Sequence, residues 1–372
     1  MVFYVNYLHS GGEERAAINL SEALPLSGAP AGGVRTTLLV NQRGGTLAST
    51  VPDSVRVVSL EARRTIAALL PLVRFLRRER PDVIIPLGAF SIALAHWANR
   101  LSGRPAQIVP SLQVTVFGVR AHARGKSRLV PFLYRRMLPH VAHIVAASRG
   151  VADDAAARVP YLPPATVIHN PIVTPRLAEA AAQPLDHPWF APGHPPLILA
   201  VGRLVEQKDL PLLIDAFAPL RRERPDARLA ILGEGPLRQA LLDKVAAMGL
   251  TEAVALLGTD PNPWRYMARA SLMALSSAFE GFGNVLVEAM ATGTPVVSTD
   301  HPHGPAEILA GGHWGALVPH GSSQALAQAM LRTLDDPLPA DVLRSRAQQF
   351  TAAIAAESYH GLIRAACEDT YR

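Results

Sequence analysis

The sequence predicts an α/β protein made of two Rossmann-like domains of parallel sheet, and three observations point to it. The chain has 372 residues, more than one ordinary hydrophobic core holds, and 49% of them are apolar. Short apolar runs alternate with longer helical patterns, as successive βαβ units require. Near the middle, a stretch from about 174 to 195 that is rich in Pro and Ala, with Pro184, Pro188, Pro192 and Pro195, breaks this alternation and suits a connection between domains. The boundaries that follow are an N-terminal domain over 1–175, a linker over 176–195, a C-terminal domain over 196–350 and a last helix over 351–372.

Taken in order, the chain opens on a strand from Val2 to Tyr7. Leu8-His9-Ser10-Gly11-Gly12-Glu13-Glu14-Arg15 then leads into a helix through Leu20 and Leu24. Gly11 and Gly12 permit a tight turn and close backbone approach to a ligand, and Glu13 and Glu14 stand where a helix start favours acids. Strands are expected at Thr36–Val40, Val55–Ser59, Val83–Pro86 and Gln107–Pro110. Val141 to Asp154 reads as a strand feeding a helix with Ser148 as its cap. Val167 to Ile172 reads as a strand and an Asn-Pro turn, with Asn170 structural.

The second half repeats the pattern, with strands at Leu197–Val201, Ala227–Leu232, Val254–Gly258 and Ala270–Leu275. After the first of them, Gly202 ends the strand, Arg203 projects from its C-terminal edge and Lys208 stands near a helix start. A guanidinium and an ammonium converging there suit a diphosphate. Gly233-Glu234-Gly235 has the look of a dinucleotide-binding turn but lacks the third glycine, so it makes an incomplete NAD fingerprint. Asp335-Asp336-Pro337 closes one helix, and Phe350 to Arg372 is helical in pattern.

Composition narrows the function classes. A formal charge of +6 and a pI near 9.8 invite acidic partners. The excess is concentrated in the first half, where Arg74, Arg77, Arg78, Arg80, Arg100, Arg104, Arg120 and Arg124 have few acidic neighbours. The segment from Arg120 to Leu138 interleaves basic residues with Leu129, Val130, Phe132 and Tyr134. Two readings stand for it: an interfacial segment on an anionic membrane, or an ordinary helix with its apolar face on the core. No recognised module or aromatic stacking run accompanies the charge, so nucleic acid is not expected as a partner. The single cysteine, Cys367, excludes a disulfide framework, fits a reducing compartment and reads as a packing residue. No run reaches the roughly 20 apolar residues of a membrane span and no basic n-region precedes the first strand, so the expected location is cytoplasmic.

The stretch that concentrates chemistry is Ser276-Ser277-Ala278-Phe279-Glu280-Gly281-Phe282-Gly283-Asn284, running into a helix with Glu288 and then Ala291-Thr292-Gly293-Thr294-Pro295-Val296-Val297. Glycines before an apolar helix leave backbone N–H groups facing outward, and the helix dipole adds positive potential, so an anion is expected there. Glu280 lies in the loop and Glu288 about two turns further on, too far away to share a proton.

Glu280 and Glu288, the Gly-Phe-Gly turn and the Glu-Ala-Met-Ala-Thr-Gly-Thr-Pro-Val-Val run resemble the donor-site signature of retaining, nucleotide-sugar-dependent glycosyltransferases of family 4. Their GT-B fold sets two Rossmann-like domains facing a central cleft. The resemblance implies a donor site made of Gly12, Arg203, Lys208, Gly281, Phe282, Gly283, Asn284 and Glu288, with Glu288 on the ribose hydroxyls and Glu280 against the sugar where positive charge develops. It implies that the Gly233-Glu234-Gly235 turn lies near the nucleotide and that an imidazole of the first domain helps bind the reacting sugar. The expected position carries Gln113, and His122, further along a loop, is the candidate for that role. His9 is a further candidate, either to orient substrate or to cap the turn. His303 and Glu307, in a loop resembling that of enzymes building surface polysaccharides, contact donor or acceptor on this reading, or are explained by a Pro-rich turn.

The implied partners are a nucleotide-sugar, most simply a UDP-sugar, a saccharide or lipid-linked acceptor, and the inner face of an anionic membrane. No Asp-X-Asp triplet occurs, so neither a metal nor any other cofactor is expected. A sugar-nucleotide epimerase of the same fold and a non-catalytic membrane-binding or nucleic-acid-binding protein are the competing readings.

Overall fold

The computed structural model describes residues 1–9, 11–25, 34–115, 128–301 and 303–368. The chain divides into two compact units, Met1–Ile172 with Phe350–Arg372, and Val173–Gln349. In the first unit the order is β1 (Val2–Val5), α1 (Gly12–Ala23), β2 (Thr37–Val40), β3 (Val57–Ser59), α2 (Leu69–Glu79), β4 (Val83–Pro86), α3 (Ala89–Leu101), β5 (Gln107–Ile108), β6 (Ser111–Leu112), α4 (Val130–Met137), β7 (Ile144–Ala146), α5 (Arg149–Arg158) and β8 (Ala165–Val167). A five-stranded sheet of order β3-β2-β1-β4-β5 and a three-stranded sheet of order β6-β7-β8 result, with every pairing parallel.

Burial on both faces explains why β1 reads as a continuous apolar run. Phe3 and Val5 meet Leu20 and Leu24 of the α1 side, whereas Val2 and Tyr4 meet Leu72 and Leu76 of α2. The strand ends at Val5, short of the expected Tyr7; beyond it Asn6 still accepts from the Asn41 amide at 3.0 Å and, through its side chain, from Asn41 Nδ2 at 3.0 Å. β3 starts late: the Val55 amide donates to Pro52 O at 3.0 Å in a turn rather than to a neighbouring strand. Ser148 caps α5 as its sequence position implies, accepting from the Val151 amide at 3.2 Å.

The second unit contains α6 (Pro175–Ala181), β9 (Leu197–Val201), α7 (Leu210–Glu223), β10 (Arg228–Leu232), α8 (Arg238–Ala247), β11 (Val254–Gly258), β12 (Leu272–Leu275), α9 (Asn284–Thr292), β13 (Val296–Asp300), β14 (Ala316–Pro319), α10 (Ser323–Asp335) and α11 (Ala340–Ala347). Its parallel sheet has the order β11-β10-β9-β12-β13-β14. The order reverses between β9 and β12, which is the switch point where doubly wound sheets open a crevice at the carboxyl ends of their strands. The stretch read as a linker carries α6 and is tied to this unit. Asn262 donates to Ala180 O at 2.8 Å and Arg265 to Pro184 O at 3.0 Å.

The chain ends on α12 (Ala352–Glu368), which belongs to the first unit. Ala355, Ala356, Tyr359, Leu362 and Ala366 recur at helical spacing and join the core beneath β1. Tyr359 meets Phe3 edge-on at 6.1 Å, and His360 Nε2 lies 3.0 Å from Leu24 O. The Cys367 side chain lies outside the described residues. Among the described residues no helix is long and apolar enough to cross a membrane.

Candidate functional site

Because β9 and β12 are neighbours at the reversal, the loops that follow them leave the sheet side by side. Residues 206–208 form a single 3-10 turn after β9, and the loop after β12 is bonded onto it. The Ala278 amide donates to Gln207 O at 2.8 Å, Gln207 Nε2 to Phe279 O at 3.0 Å and Ser276 Oγ to Lys208 O at 2.8 Å. From the other side Thr299 Oγ1, at the end of β13, donates to Ser277 O at 2.7 Å. Three backbone positions of the 276–279 loop and the Ser276 side chain are thereby fixed.

This frame brings together Lys208 and Glu280. Lys208 Nζ lies 2.5 Å from Glu280 Oε1, and Ser277 Oγ donates to the same oxygen at 2.7 Å. Burial works to raise the Glu280 carboxyl, but the charge and hydrogen bond of Lys208, the Ser277 hydroxyl and nearby His301 outweigh it. The group therefore sits below the ordinary carboxylate value, as the anion. The Lys208 stem is held close to the turn, since a Cβ on Gly202 would meet Lys208 Cε at 3.1 Å.

Beyond Glu280 the chain turns into α9 through Gly283, whose φ of 100° and ψ of 48° make it a left-handed N-cap that favours glycine. Phe282 is buried beneath the turn. Gly304 packs behind it: a Cβ there would lie 2.1 Å from Phe282 O, so only glycine allows the two backbones to meet. α9 begins at Asn284 with no acid in its first turn, and Glu288 lies buried on its inner face. Its N-terminus, with no acid in the first turn, carries the positive end of the helix dipole.

Arg203 is exposed on the turn after β9. That turn is bonded to the Gly233-Glu234-Gly235 turn: the Leu204 amide donates to Glu234 O at 2.9 Å and the Leu237 amide to Leu204 O at 3.1 Å. A Cβ on Gly233 would fall 1.8 Å from Gly202 O, so the glycines here serve the approach of one backbone to another.

One residue escaped the sequence reading. His301, between the end of β13 and His303, is 5% exposed, and neither of its ring nitrogens has a hydrogen-bond partner. Burial pushes its imidazole down to about 4 against the opposing pull of Glu280, with His303, His320 and Lys208 also within electrostatic reach. Its neighbours in sequence gave no sign of this, because burial of a loop residue depends on the strands around it. Of the two other candidates in that loop, His303 is partly buried, and Glu307 lies on the one-turn helix Pro305–Ile308 with its carbonyl accepting from Arg346 at 2.8 Å.

In the first unit, Gly12 is the opening residue of α1 and Gly11 its N-cap. Gln113, just past β6, is buried and donates to Ser111 Oγ at 2.9 Å. His9 is exposed, its ring centroid 5.5 Å from that of Tyr7. His122 lies outside the described residues. Among the described residues no group of three or more His, Cys, Asp or Glu is arranged to hold a metal ion.

With this geometry in view, known proteins give the family. Residues 185–350 match the family described as Glycosyl transferases group 1, and residues 11–171 the family described as Glycosyl transferase 4-like domain. Over 206 residues the chain is 34% identical to a Campylobacter jejuni N-acetylgalactosamine-N,N'-diacetylbacillosaminyl-diphospho-undecaprenol 4-alpha-N-acetylgalactosaminyltransferase, a match covering 55% of this chain and 54% of that one. The matched part thus spans about half the length of that relative. The Rhizobium meliloti lipopolysaccharide core biosynthesis glycosyltransferase LpsE is 27% identical over 337 residues, 90% of this chain and 89% of its own. The crystal structure of Anabaena HepE in complex with UDP shares the fold, with a TM-score of 0.73 at 20% identity over 98% of this chain and 99% of that one.

Proposed function

The chain belongs to the glycosyl transferases of group 1, with the GT-B fold, and from that membership we propose that it transfers a sugar with retention of configuration from a nucleotide-sugar to a saccharide or lipid-linked acceptor in the synthesis of a bacterial surface polysaccharide or glycolipid. The observation that carries this reading is the pairing of Lys208 with the buried Glu280 beside an α9 N-terminus that has no acid in its first turn. A UDP-sugar is the donor on this reading, in keeping with the UDP bound to HepE. A lipid diphosphate acceptor is in keeping with the undecaprenol named in the Campylobacter enzyme's substrate.

The mechanism follows from charge. Arg203, Lys208 and the amides of Gly281, Phe282, Gly283 and Asn284 take up the diphosphate, whose negative charge grows as the glycosidic bond breaks. Interactions that strengthen with that charge lower the barrier. Glu288 accepts hydrogen bonds from the ribose hydroxyls. Glu280 is anionic and fixed by Ser277, so it faces the sugar as a preset negative charge where the anomeric carbon becomes positive. When the diphosphate draws on Lys208, Glu280 loses part of its counter-charge, and its field at the sugar rises with donor binding. The reading calls on no metal and no other cofactor. On it the enzyme is cytoplasmic and rests on the inner face of the membrane through its basic first unit.

Thermal stabilisation by UDP, GDP, ADP and CMP and their sugars tests the donor site, because a ligand that binds only the folded chain raises its apparent stability. A shift selective for one base in the wild type and lost in Arg203→Ala supports the assignment. No shift with any nucleotide overturns it. Product analysis with and without acceptor then separates transfer from epimerisation.

A further inference from the structure

The first unit holds a basic concavity that the proposed reaction does not use. In a parallel sheet all strands start at one edge, and this feature lies at that edge, opposite the end from which Gly11 and Gly12 follow β1. Two cavities of about 700 and 560 Å³ flank the turn between α3 and β5. His96, Arg100, Arg104, Arg136 and His140 line the larger. Arg77 and Arg80 line the smaller. Among the described residues no Asp or Glu lines either one.

The cations share one space. Burial and then the charges of His140, Arg100, Arg104 and Arg136 depress the His96 imidazole. Arg136 Nη1 lies 3.4 Å from His140 Nε2, so a guanidinium faces an imidazole where a carboxylate is usual. Trp97 stands half exposed on the same helix, its ring edge-on to His96 at 5.9 Å, and gives the concavity an apolar wall.

A plainer explanation is that α2, α3 and α4 all end here, where basic residues balance the helix dipoles. Arg77 fits it, donating from Nη2 to Leu101 O at 2.8 Å. Two other residues carry a feature that it does not require. Arg80 closes α2 at φ 40° and ψ 59°, and Arg104 has φ 60° in the turn before β5. Glycine is the stable choice in such left-handed positions, so stability alone favours glycine at both and a charge stands there instead. Guanidinium groups gathered in a concave site with no carboxylate among the described lining residues match the oxygens of phosphate.

We propose that the concavity formed by Arg100, Arg104 and Arg136, with Arg80 at its flank, is a binding site for a diphosphate or phosphate-ester anion, separate from the nucleotide-sugar site of the second unit. Its ligand is either a soluble phosphate compound or the headgroups of an anionic lipid.

The test uses the full chain as wild type, Arg80→Gly, Arg104→Gly and the triple variant Arg100→Ala/Arg104→Gly/Arg136→Ala. Binding of inorganic pyrophosphate is measured by calorimetry. Sedimentation with vesicles of phosphatidylglycerol and phosphatidylcholine, against phosphatidylcholine alone, is the second arm, and UDP binding and Tm are followed in parallel. Each single variant is expected to weaken anion binding about fivefold, as removal of one basic residue from an anionic surface does, with Tm unchanged or higher. The triple variant is expected to lose the site while UDP binding stays intact. Loss with pyrophosphate alone identifies a soluble phosphate, and loss with phosphatidylglycerol vesicles identifies lipid headgroups; both support the site. Equal binding of both probes by all four proteins overturns it. So does a loss that appears only with a lowered Tm and weakened UDP binding, because the arginines would then be helix-end supports.

Discussion

Both units set glycines between a strand and a helix, and the two turns are filled differently. In the first, the chain's own carboxylates come back over the backbone. A Cβ on Gly11 would lie 2.0 Å from Glu14 Oε2, and one on Gly88, the N-cap of α3, 3.0 Å from both oxygens of Glu13. Glu13 and Glu14 also occupy the first turn of α1. In the second, the loop carboxylate Glu280 is turned to Lys208 and the first turn of α9 has no acid. A helix start attracts negative charge in either case. The first unit supplies that charge from its own first turn, whereas in the second the loop carboxylate is engaged by Lys208 and no acid stands in the first turn of the helix.

The largest expected effects therefore lie in the second turn. Glu280→Gln and Glu288→Ala should each lower kcat/KM by about 10²–10³, the loss typical when a preorganised transition-state contact is removed. Glu14→Gln should cost less than about tenfold. Steady-state kinetics on variants with wild-type circular dichroism checks this, and equal losses at the two turns would erase the contrast.

Stability sharpens it next. Lys208→Ala leaves the buried Glu280 carboxylate without its cation and should cost about 3 kcal/mol of unfolding free energy. The double variant Lys208→Met/Glu280→Leu should recover most of that while remaining inactive. Denaturant unfolding decides, and a double variant no more stable than Lys208→Ala would show that the pair is not what the site strains to hold.

The third effect is on pH. His301 has a folded value of about 4 against an ordinary 6.5, so the folded chain stays neutral there while the unfolded chain takes up a proton. The stability it contributes is complete above pH 6.5 and falls away as pH drops from 6.5 toward 4, by up to about 3 kcal/mol. His301→Leu should flatten Tm across that window. An unchanged slope would assign the acid sensitivity to other groups.

The smallest effects separate the glycines. Gly304→Ala puts a Cβ against Phe282 O at a φ of 77° and should cost about 2 kcal/mol, with a loss of nucleotide binding as the turn shifts. Gly11→Ala, at φ −90°, meets only the movable end of Glu14 and should cost less than about 1 kcal/mol. Thermal unfolding of both, with a UDP titration, tests the pair.

Much of the fold was legible because its signals are local. Four-residue apolar runs such as Val83–Pro86 and Leu272–Leu275 are buried on both faces, and continuous hydrophobicity marks them as parallel-sheet strands. Strand ends were less legible: β3 starts at Val57 because the Val55 amide turns to Pro52 O, a bond that periodicity does not reveal. At the candidate site, the glycine turn, the loop position of Glu280 and the helical position of Glu288 follow from residue order. The partner of Glu280 does not, because Lys208 is 72 residues away and reaches it only through the strand order.

By itself, then, the sequence determined the α/β class, the alternation of strand and helix, and which turns need glycine, because these depend on a few consecutive residues. Tertiary structure alone decided that β9 and β12 sit side by side, that Lys208 therefore neutralises Glu280, and that His301 is stripped of water. Pairing and desolvation are properties of neighbours in space, and the reversal of strand order is what makes these residues neighbours.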